Sequence, residues 1–222
     1  KIKDIKRFIA HAGGEINKDK YTNSLEALNY SYDNGIRLFE LDIIETKDGH
    51  FVAAHDWKNW KSRVNYPIVD NNPVSLDEFM KYRIKNKYTP LNMQRINNWF
   101  EKHQDAFLVT DKINSPKKFS ESFVDKERLM MELFSLQAIE EGIKQNILEV
   151  IPSFGTWDQI KNNTSIISNI NFVASSRKIS KEKIKEIKNR NLKIYAFHLN
   201  FEKQATEIWS ICNETNLFYG FY

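Results

Sequence analysis

Cysteine and glycine are both scarce in this sequence, and each shortage excludes a class of structure. The 222 residues include one cysteine, Cys212, so the chain has no internal disulfide and no cysteine spacing for a metal cluster. The seven glycines form neither a GxGxxG nor a Walker pattern, which gives no support to a nucleotide-binding fold. No apolar run approaches the length that spans a bilayer, so we expect no membrane-spanning segment.

The charges of the chain are nearly balanced. Lys and Arg number 33 against 29 Asp and Glu, and the net charge of +4 is compatible with an anionic substrate. The basic residues form no evident stripe, so nucleic acid is not an expected partner. Hydrophobic residues make up 41% and charged residues 28%, as in ordinary globular proteins.

The sequence leaves the compartment and the oligomeric state open. Its first residues, KIKDIKR, lack the hydrophobic core of a signal peptide. Because the chain does not begin with Met, a cytoplasmic protein and an exported protein whose signal has been removed both agree with it.

Strand-like apolar runs alternate with helical stretches along the chain. We predict strands at Arg7–His11, Ile36–Ile44, Ala106–Lys112, Leu129–Phe134, Ile147–Ile151, Ile170–Ala174, Leu192–Phe197 and Leu217–Phe221. We predict helices at Ser24–Asp33, Leu76–Arg83, Met93–His103, Pro116–Lys126, Leu136–Lys144, Thr156–Asn162, Ser180–Asn189 and Glu202–Asn213. The residues suited to cap these helices are serines, namely Ser24, Ser75, Ser115 and Ser180.

This alternation predicts an α/β fold, specifically a parallel (β/α)8 TIM barrel. An open doubly wound sheet is the alternative. No linker, repeat or low-complexity tract divides the chain, so we predict a single domain over residues 1–222. Between Trp57 and Tyr88 a polar and aromatic stretch interrupts the alternation. We expect a loop insertion over the barrel mouth near 57–88, with a short helix behind it.

Two acidic residues lie in an otherwise apolar predicted strand. Glu40 and Asp42 are two residues apart in FELDII, so their side chains project to the same face. Two such acids are costly to bury unless a positive charge lies between them, and hard divalent cations prefer carboxylate oxygens. A pair of structural carboxylates bound to lysines is the alternative interpretation.

Other polar residues follow the ends of predicted strands, where the working residues of an α/β barrel lie. His11 ends the first strand, and Asp111 and Lys112 end the third. His55 follows a predicted hairpin whose turn is marked by Asp48-Gly49. If the barrel is correct, these residues converge on one rim.

Several segments together resemble the glycerophosphodiester phosphodiesterase family. They are HAGG at His11–Gly14, TNSLEAL at Thr22–Leu28, the G-x-x-x-x-E-x-D of Gly35 to Asp42, TKDG at Thr46–Gly49 and VAAHD ending at Asp56. Their order and spacing agree over roughly the first quarter of the chain, with weaker similarity at TDK and at the terminal YGFY. The resemblance implies a barrel of the phospholipase-C-like phosphodiesterase type that cleaves phosphodiesters of glycerol with a divalent cation.

The resemblance also implies roles for the residues at the rim. Glu40 and Asp42 would bind Ca²⁺ or Mg²⁺, and His11 and His55 would be the general acid and base. Imidazoles titrate near neutrality, so two of them can move a proton on either side of the phosphorus. In the family, attack by a neighbouring glycerol hydroxyl is a proposed route, which gives a cyclic phosphate before water opens it.

The third strand departs from the family's Glu-x-Lys pattern. We expect Asp111 to be the third metal ligand and Lys112 to contact phosphate. Strand alternation places neighbouring residues on opposite faces, so this pair requires a bulge to act together.

Four further residues are candidates for substrate contact. Asn23 either touches phosphate or caps the first helix. Glu132, an acid in the apolar LMMELF strand, either binds substrate or metal or satisfies an internal lysine. His198 is a candidate near the seventh strand, with a packed histidine as the alternative. Trp57 belongs to an aromatic group, with Trp60 and Tyr66, that would line the approach of the substrate.

Two more departures from the family bear on the substrate. Ala12 stands where the family usually has an arginine, and Thr22 stands where it usually has a glutamate. We predict metal-dependent hydrolysis of a glycerophosphodiester to glycerol phosphate and an alcohol, with a small or a polymeric phosphodiester as substrate. The alternatives are a related phospholipase that acts on a lipid or inositol head group, and a catalytically inactive barrel that binds phosphoglycans.

Overall fold

The computed structural model describes residues 8–197 and 218–222, in which strands and helices alternate. The strands are β1 (Ile9–Ala10), β2 (Leu38–Glu45), β3 (Phe51–Ala53), β4 (Phe107–Asp111), β5 (Leu129–Leu133), β6 (Glu149–Pro152), β7 (Phe172–Ser176), β8 (Lys193–Phe197) and β9 (Gly220–Phe221). The helices are α1 (Leu25–Asp33), α2 (Trp57–Arg63), α3 (Leu76–Lys81), α4 (Met93–Lys102), α5 (Pro116–Ser122), α6 (Leu136–Lys144), α7 (Trp157–Ile160), α8 (Thr164–Ile167) and α9 (Lys181–Lys188).

The strands form a parallel sheet with one antiparallel extension. The order β1-β2-β4-β5-β6 is continuous, and β7-β8-β9 follows. A parallel bridge between Ser153 and Ala174 joins the two parts. β3 runs antiparallel to the end of β2 and closes the hairpin that the Asp48-Gly49 turn predicted.

One apolar cluster identifies the interior of the barrel. Its buried residues come from each parallel strand in turn: Ile9, Leu38, Val109, Met130, Ile151, Ala174, Tyr195 and, directly after β9, Tyr222. Inward side chains that meet from all strands are the packing of a closed barrel, and an open sheet would not bring its two edges together. The predicted TIM-barrel fold is confirmed.

Side-chain alternation along β2 decides which residues reach the interior. Phe39, Leu41 and Ile43 pack outward into a second, larger core against the surrounding helices. The intervening Glu40 and Asp42 therefore face inward, above Leu38, and both are buried. The strand thus carries two acids to the carboxyl end of the barrel, where the site of a TIM barrel lies.

The segment 57–88 differs from the predicted loop. It contains α2 as well as α3, and the two helices enclose an apolar cluster of their own, which we call the accessory cluster: Val52, Ala54, Trp57, Trp60, Val64, Val74 and Phe79. The loop prediction failed because α2 is only seven residues long, and its aromatic side chains pack with α3 and with Val52 of β3. The short helix predicted at Leu76–Arg83 is present as α3.

Most predicted helix starts are confirmed by side-chain caps. Ser24, Ser75 and Ser180 each accept a hydrogen bond from a backbone N–H in the first turn of their helices. Ser115 makes no such bond, and Pro116 begins that helix. Within the described residues, none of the helices combines the length and the apolar character that a membrane crossing requires.

Candidate active site

Three carboxylates meet at the carboxyl ends of β2 and β4. Asp42 and Asp111 are partners in the register of these parallel strands, and Glu40 lies two residues earlier on the same face of β2. One oxygen of each carboxylate lies within 4.8 Å of the others. Hence the predicted ligand set is assembled in space.

Asn23 fixes the orientation of Asp42. Its side-chain Nδ2 donates to Asp42 Oδ2 over 2.9 Å, and its Oδ1 accepts from the backbone N–H of Asp42 over 3.1 Å. The backbone of Asn23 has a φ of +48°, a left-handed conformation that Asn tolerates better than most residues. Asn23 is therefore not the cap of α1, since Ser24 takes that position.

A tight turn after β1 places His11. The turn His11–Gly13 is closed by a hydrogen bond from Gly14 N to His11 O. Gly14 has a φ of +102°, and a Cβ there would lie 2.1 Å from Ser31 Oγ, so the second glycine of HAGG is required by its surroundings. The N–H of Ala12 donates to Glu40 Oε2 over 2.6 Å, and His11 Nε2 lies 3.8 Å from the same oxygen.

His55 approaches the site from the end of the hairpin. The N–H of Ala54 donates to the carbonyl oxygen of Asp42, which ties the segment before His55 to β2. Asp56 Oδ2 accepts from His55 Nδ1 over 2.6 Å, and its other oxygen caps α2. This pairing orients the half-exposed imidazole and leaves Nε2 available for proton transfer.

A left-handed residue allows Asp111 and Lys112 to act together. Lys112 has a φ of +69°, which turns its side chain away from the face that strand alternation would give it. Its ammonium group lies 3.0 Å from Asp111 Oδ2 and 4.0 Å from Asp42 Oδ1. The break in strand alternation that Asp111 and Lys112 need in order to act together is therefore present. It comes from the backbone conformation of Lys112 rather than from a bulge.

Glu132 lies in the interior, on β5, and is buried. Tyr222 Oη donates to Glu132 Oε2 over 3.3 Å. Burial, together with the charge of Asp111, raises the pKa of Glu132 to about 8. A neutral acid at this depth is a hydrogen-bonding group of the barrel interior, and within residues 8–197 and 218–222 no lysine forms an ion pair with it.

Trp57, a predicted substrate contact, lies away from the site. Trp57 is 7% exposed and packs at 5.7 Å from Trp60 and 6.1 Å from Phe79, ring centre to ring centre, so the structure does not bring it to the carboxylates. His198 lies outside the described residues.

Two tyrosines at the site were not singled out from the sequence. Tyr21 meets the His11 ring edge-on with centroids 4.9 Å apart, and Tyr222 does so at 6.2 Å. Tyr222 ends the YGFY segment, whose similarity to the family was the available signal. Nothing in the sequence pattern marks Tyr21.

The electrostatics of the site favour a bound positive charge. Burial, with the charges of Asp42 and Asp111 beside it, raises the pKa of Glu40 well above its usual range. Burial lowers the pKa of His11, and the charges of Asp42 and Asp111 oppose that effect. The raised pKa of Glu40 reflects acids gathered with little water around them, whereas the lowered pKa of His11 reflects its burial above all.

The residues present fit a hard divalent cation. Glu40 Oε1 and Asp42 Oδ1 are buried and have no hydrogen-bond partner. An orphaned buried carboxylate oxygen is costly, and an all-carboxylate donor set is the one that Ca²⁺ and Mg²⁺ prefer. Glu40, Asp42 and Asp111 would hold such a cation.

Comparison with known proteins gives the family. The model of the glycerophosphoryl diester phosphodiesterase family matches residues 12–172. The chain belongs to this family. Its enzymes are phosphoric diester hydrolases, as the HAGG, ExD and VAAHD segments implied. A search against curated proteins found no match.

Solved structures of glycerophosphodiester phosphodiesterases share the fold at low sequence identity. One from Parabacteroides distasonis superposes with a TM-score of 0.74 at 15% identity, over 96% of this chain and 81% of that one. One from Thermotoga maritima gives 0.69 at 16%, over 97% and 92%. A phosphodiesterase from Oleispira antarctica, in complex with the product sn-glycerol-3-phosphate, gives 0.67 at 16%, over 94% and 89%.

Proposed function

We propose that this protein hydrolyses glycerophosphodiesters to glycerol phosphate and an alcohol, with a divalent cation as cofactor and His11 and His55 as the acid and base. One observation carries the proposal: two buried carboxylate oxygens without a hydrogen-bond partner lie beside Asp111 and an imidazole, at the carboxyl end of the barrel. When bound, the cation offsets the negative charge of the phosphodiester as more charge develops in the transition state.

The two histidines take complementary parts in proton transfer. Burial lowers the pKa of His11, which keeps this imidazole neutral near pH 7 and able to accept a proton from the attacking hydroxyl. His55, oriented by Asp56 through Nδ1, gives a proton from Nε2 to the departing alkoxide. The attacking oxygen forms a bond to phosphorus as the bond to the alcohol oxygen breaks.

The remaining site residues hold the reacting groups in place. Lys112 contacts a phosphate oxygen, and its position between Asp111 and Asp42 keeps the ammonium group charged. Asn23 holds Asp42 in the orientation in which one oxygen stays free for the cation. Glu132, held by Tyr222, offers a hydrogen bond to the substrate from the barrel floor.

A substrate panel tests the proposal. The purified protein is incubated with glycerophosphocholine, glycerophosphoethanolamine, glycerophosphoinositol, glycerophosphoglycerol and a teichoic-acid-like polymer, with Ca²⁺ or Mg²⁺ and with EDTA. We expect phosphorus NMR to detect glycerol phosphate, or a cyclic phosphate before it, only with the cation. Absence of any product from the whole panel would refute the proposed activity, and undiminished turnover in EDTA would refute the cofactor.

A further inference from the structure

Arg63, the last residue of α2, is a half-buried cation with an incomplete set of partners. Its Nε donates to Asn59 Oδ1 over 2.7 Å, and its Nη1 donates to the carbonyl oxygen of Lys20 over 3.0 Å. Within residues 8–197 and 218–222, no carboxylate lies within 4.0 Å of this guanidinium, and Nη2 makes no hydrogen bond. Two of the three guanidinium nitrogens, Nε and Nη1, therefore donate hydrogen bonds, while Nη2 is left free.

The bond to Lys20 places Arg63 beside the rim of the active site. Lys20 directly precedes Tyr21, whose ring meets that of His11 with centroids 4.9 Å apart. The carboxylate of Asp42 is close enough for its charge to act on the guanidinium. Arg63 therefore lies beside the rim on the α2 side, whereas Lys112 reaches the carboxylates from the end of β4.

The surroundings of Arg63 do not neutralise its charge. Burial lowers the pKa of Arg63, and the charges of Asp19 and Asp42 oppose this effect. Asp19 is already bound to Lys85 and to Tyr88 Oη, and Asp42 is held by Asn23. Because a guanidinium stays charged in proteins, a half-buried one without a bound carboxylate favours an anion brought from outside.

The free side of Arg63 is open to such an anion. Arg63 lines a surface cleft of about 580 Å³ whose other lining residues are all polar, namely Asn59, Ser62, Asn65, Lys85 and Asn86. Lys85, which is paired with Asp19, also lines the cleft. A phosphate oxygen can approach through this cleft without passing an apolar surface.

We propose that Arg63 binds a phosphate oxygen of the substrate through Nη2, as a substrate-binding residue supplied by the 57–88 segment. The proposal rests on the proposed function for the identity of the anion. Its test is a direct binding measurement, so it does not depend on turnover. The probe is sn-glycerol 3-phosphate, titrated calorimetrically in the presence of Ca²⁺ or Mg²⁺.

The decisive variant is Arg63→Gln, whose amide nitrogen takes the position of Nε and can still donate to Asn59 Oδ1 while the charge is removed. We expect its dissociation constant for glycerol 3-phosphate to rise about 10- to 100-fold, the range for a lost hydrogen bond between charged groups. In kinetics, KM should rise by a similar factor with little change in kcat. Arg63→Lys, which keeps the charge, should recover part of the affinity. Arg83→Met is the matched control, since that exposed arginine binds Glu26, Thr89 and the Lys87 carbonyl instead.

Three results would overturn the proposal. The first is unchanged affinity and KM in folded Arg63→Gln. The second is a loss that Arg83→Met reproduces. The third is a lower melting temperature in both Arg63→Gln and Arg63→Lys, with a fall in affinity that follows the fall in melting temperature. A wild-type protein that binds glycerol 3-phosphate through Arg63 but releases no product would instead refute the proposed function and leave this inference standing.

Discussion

Asn23 and Asp42 form a reciprocal pair across the barrel mouth, in which the amide both donates to the carboxylate and accepts from the backbone N–H of the same aspartate. The pair connects the loop before α1 to β2. It leaves Asp42 Oδ1 as the oxygen without a hydrogen-bond partner. An outer residue that orients a ligand in this way commonly tunes cation affinity as strongly as the ligand itself.

Asn23→Gly should weaken cation binding. Glycine accepts the φ of +48° without strain, so the substitution removes the amide and little else. We expect the cation dissociation constant to rise about 10- to 100-fold, which is typical when a residue that orients a metal ligand is removed. Calorimetric titration with Ca²⁺ and Mg²⁺ measures it. Asn146→Gly is the matched control, because Asn146 is exposed and has a φ of +52°.

His11→Ala and His55→Ala should each abolish most turnover without unfolding the barrel. Loss of a general acid or base costs about 10²- to 10⁴-fold in rate, and both imidazoles lie at the rim rather than in the core. The measurement is kcat alongside the thermal melting curve. His50→Ala, in the exposed hairpin turn, serves as control. Near wild-type kcat in either rim variant would contradict its assigned role.

Glu132→Gln should change how stability depends on pH. The native pKa of about 8 lies above the ordinary value of 4.5, so between these pH values the native state holds a proton that the unfolded chain releases. The stability from protonated Glu132 is therefore complete below about pH 4.5 and is lost as pH rises to about 8.

The measurement is urea unfolding of wild type and Glu132→Gln at several pH values, with EDTA present. Relative to the variant, wild type should lose up to a few kcal/mol across this window. If the free energy of unfolding changed with pH in the same way in both proteins, the raised pKa of Glu132 would be contradicted.

Trp60→Ala should destabilise the accessory cluster. Trp60 is 2% exposed and stacks on Phe79 with centroids 4.9 Å apart. Truncating a buried tryptophan costs about 3–5 kcal/mol. Urea unfolding measures the loss, and Tyr30→Ala, at a side chain 52% exposed, should cost less than about 0.5 kcal/mol. If Trp60→Ala also lowered the free energy of unfolding by less than about 0.5 kcal/mol, the accessory cluster would contribute little to stability.

The barrel could be predicted from the sequence because its periodic signals are local. Each predicted strand within the described residues overlaps an observed one, and Leu136–Lys144 is identical to α6. The helix predicted at Glu202–Asn213 lies outside those residues. The α2 helix escaped prediction because seven residues give less than two turns of periodicity, and its aromatic residues look the same in a loop.

The carboxylate site was predictable for a simple geometric reason. Glu40 and Asp42 share a strand face, and parallel register brings Asp111 beside Asp42. The left-handed backbone at Lys112 was not predictable, because lysine shows no preference for that conformation. Nor could the burial of Trp57 be read from the sequence, since it depends on how α2 and α3 pack on each other.

The accessory cluster means that the candidate site draws its residues from two parts of the chain with different apolar surroundings. The three carboxylates belong to the barrel wall, whereas His55 precedes and Arg63 ends a helix whose apolar contacts are with α3 and with residues at the end of the hairpin. Substitutions within the 57–88 segment should therefore change the surroundings of His55 and Arg63 while the positions of Glu40, Asp42 and Asp111 stay the same. Exchanging residues 57–88 between relatives is a natural route to a phosphodiesterase with altered head-group preference.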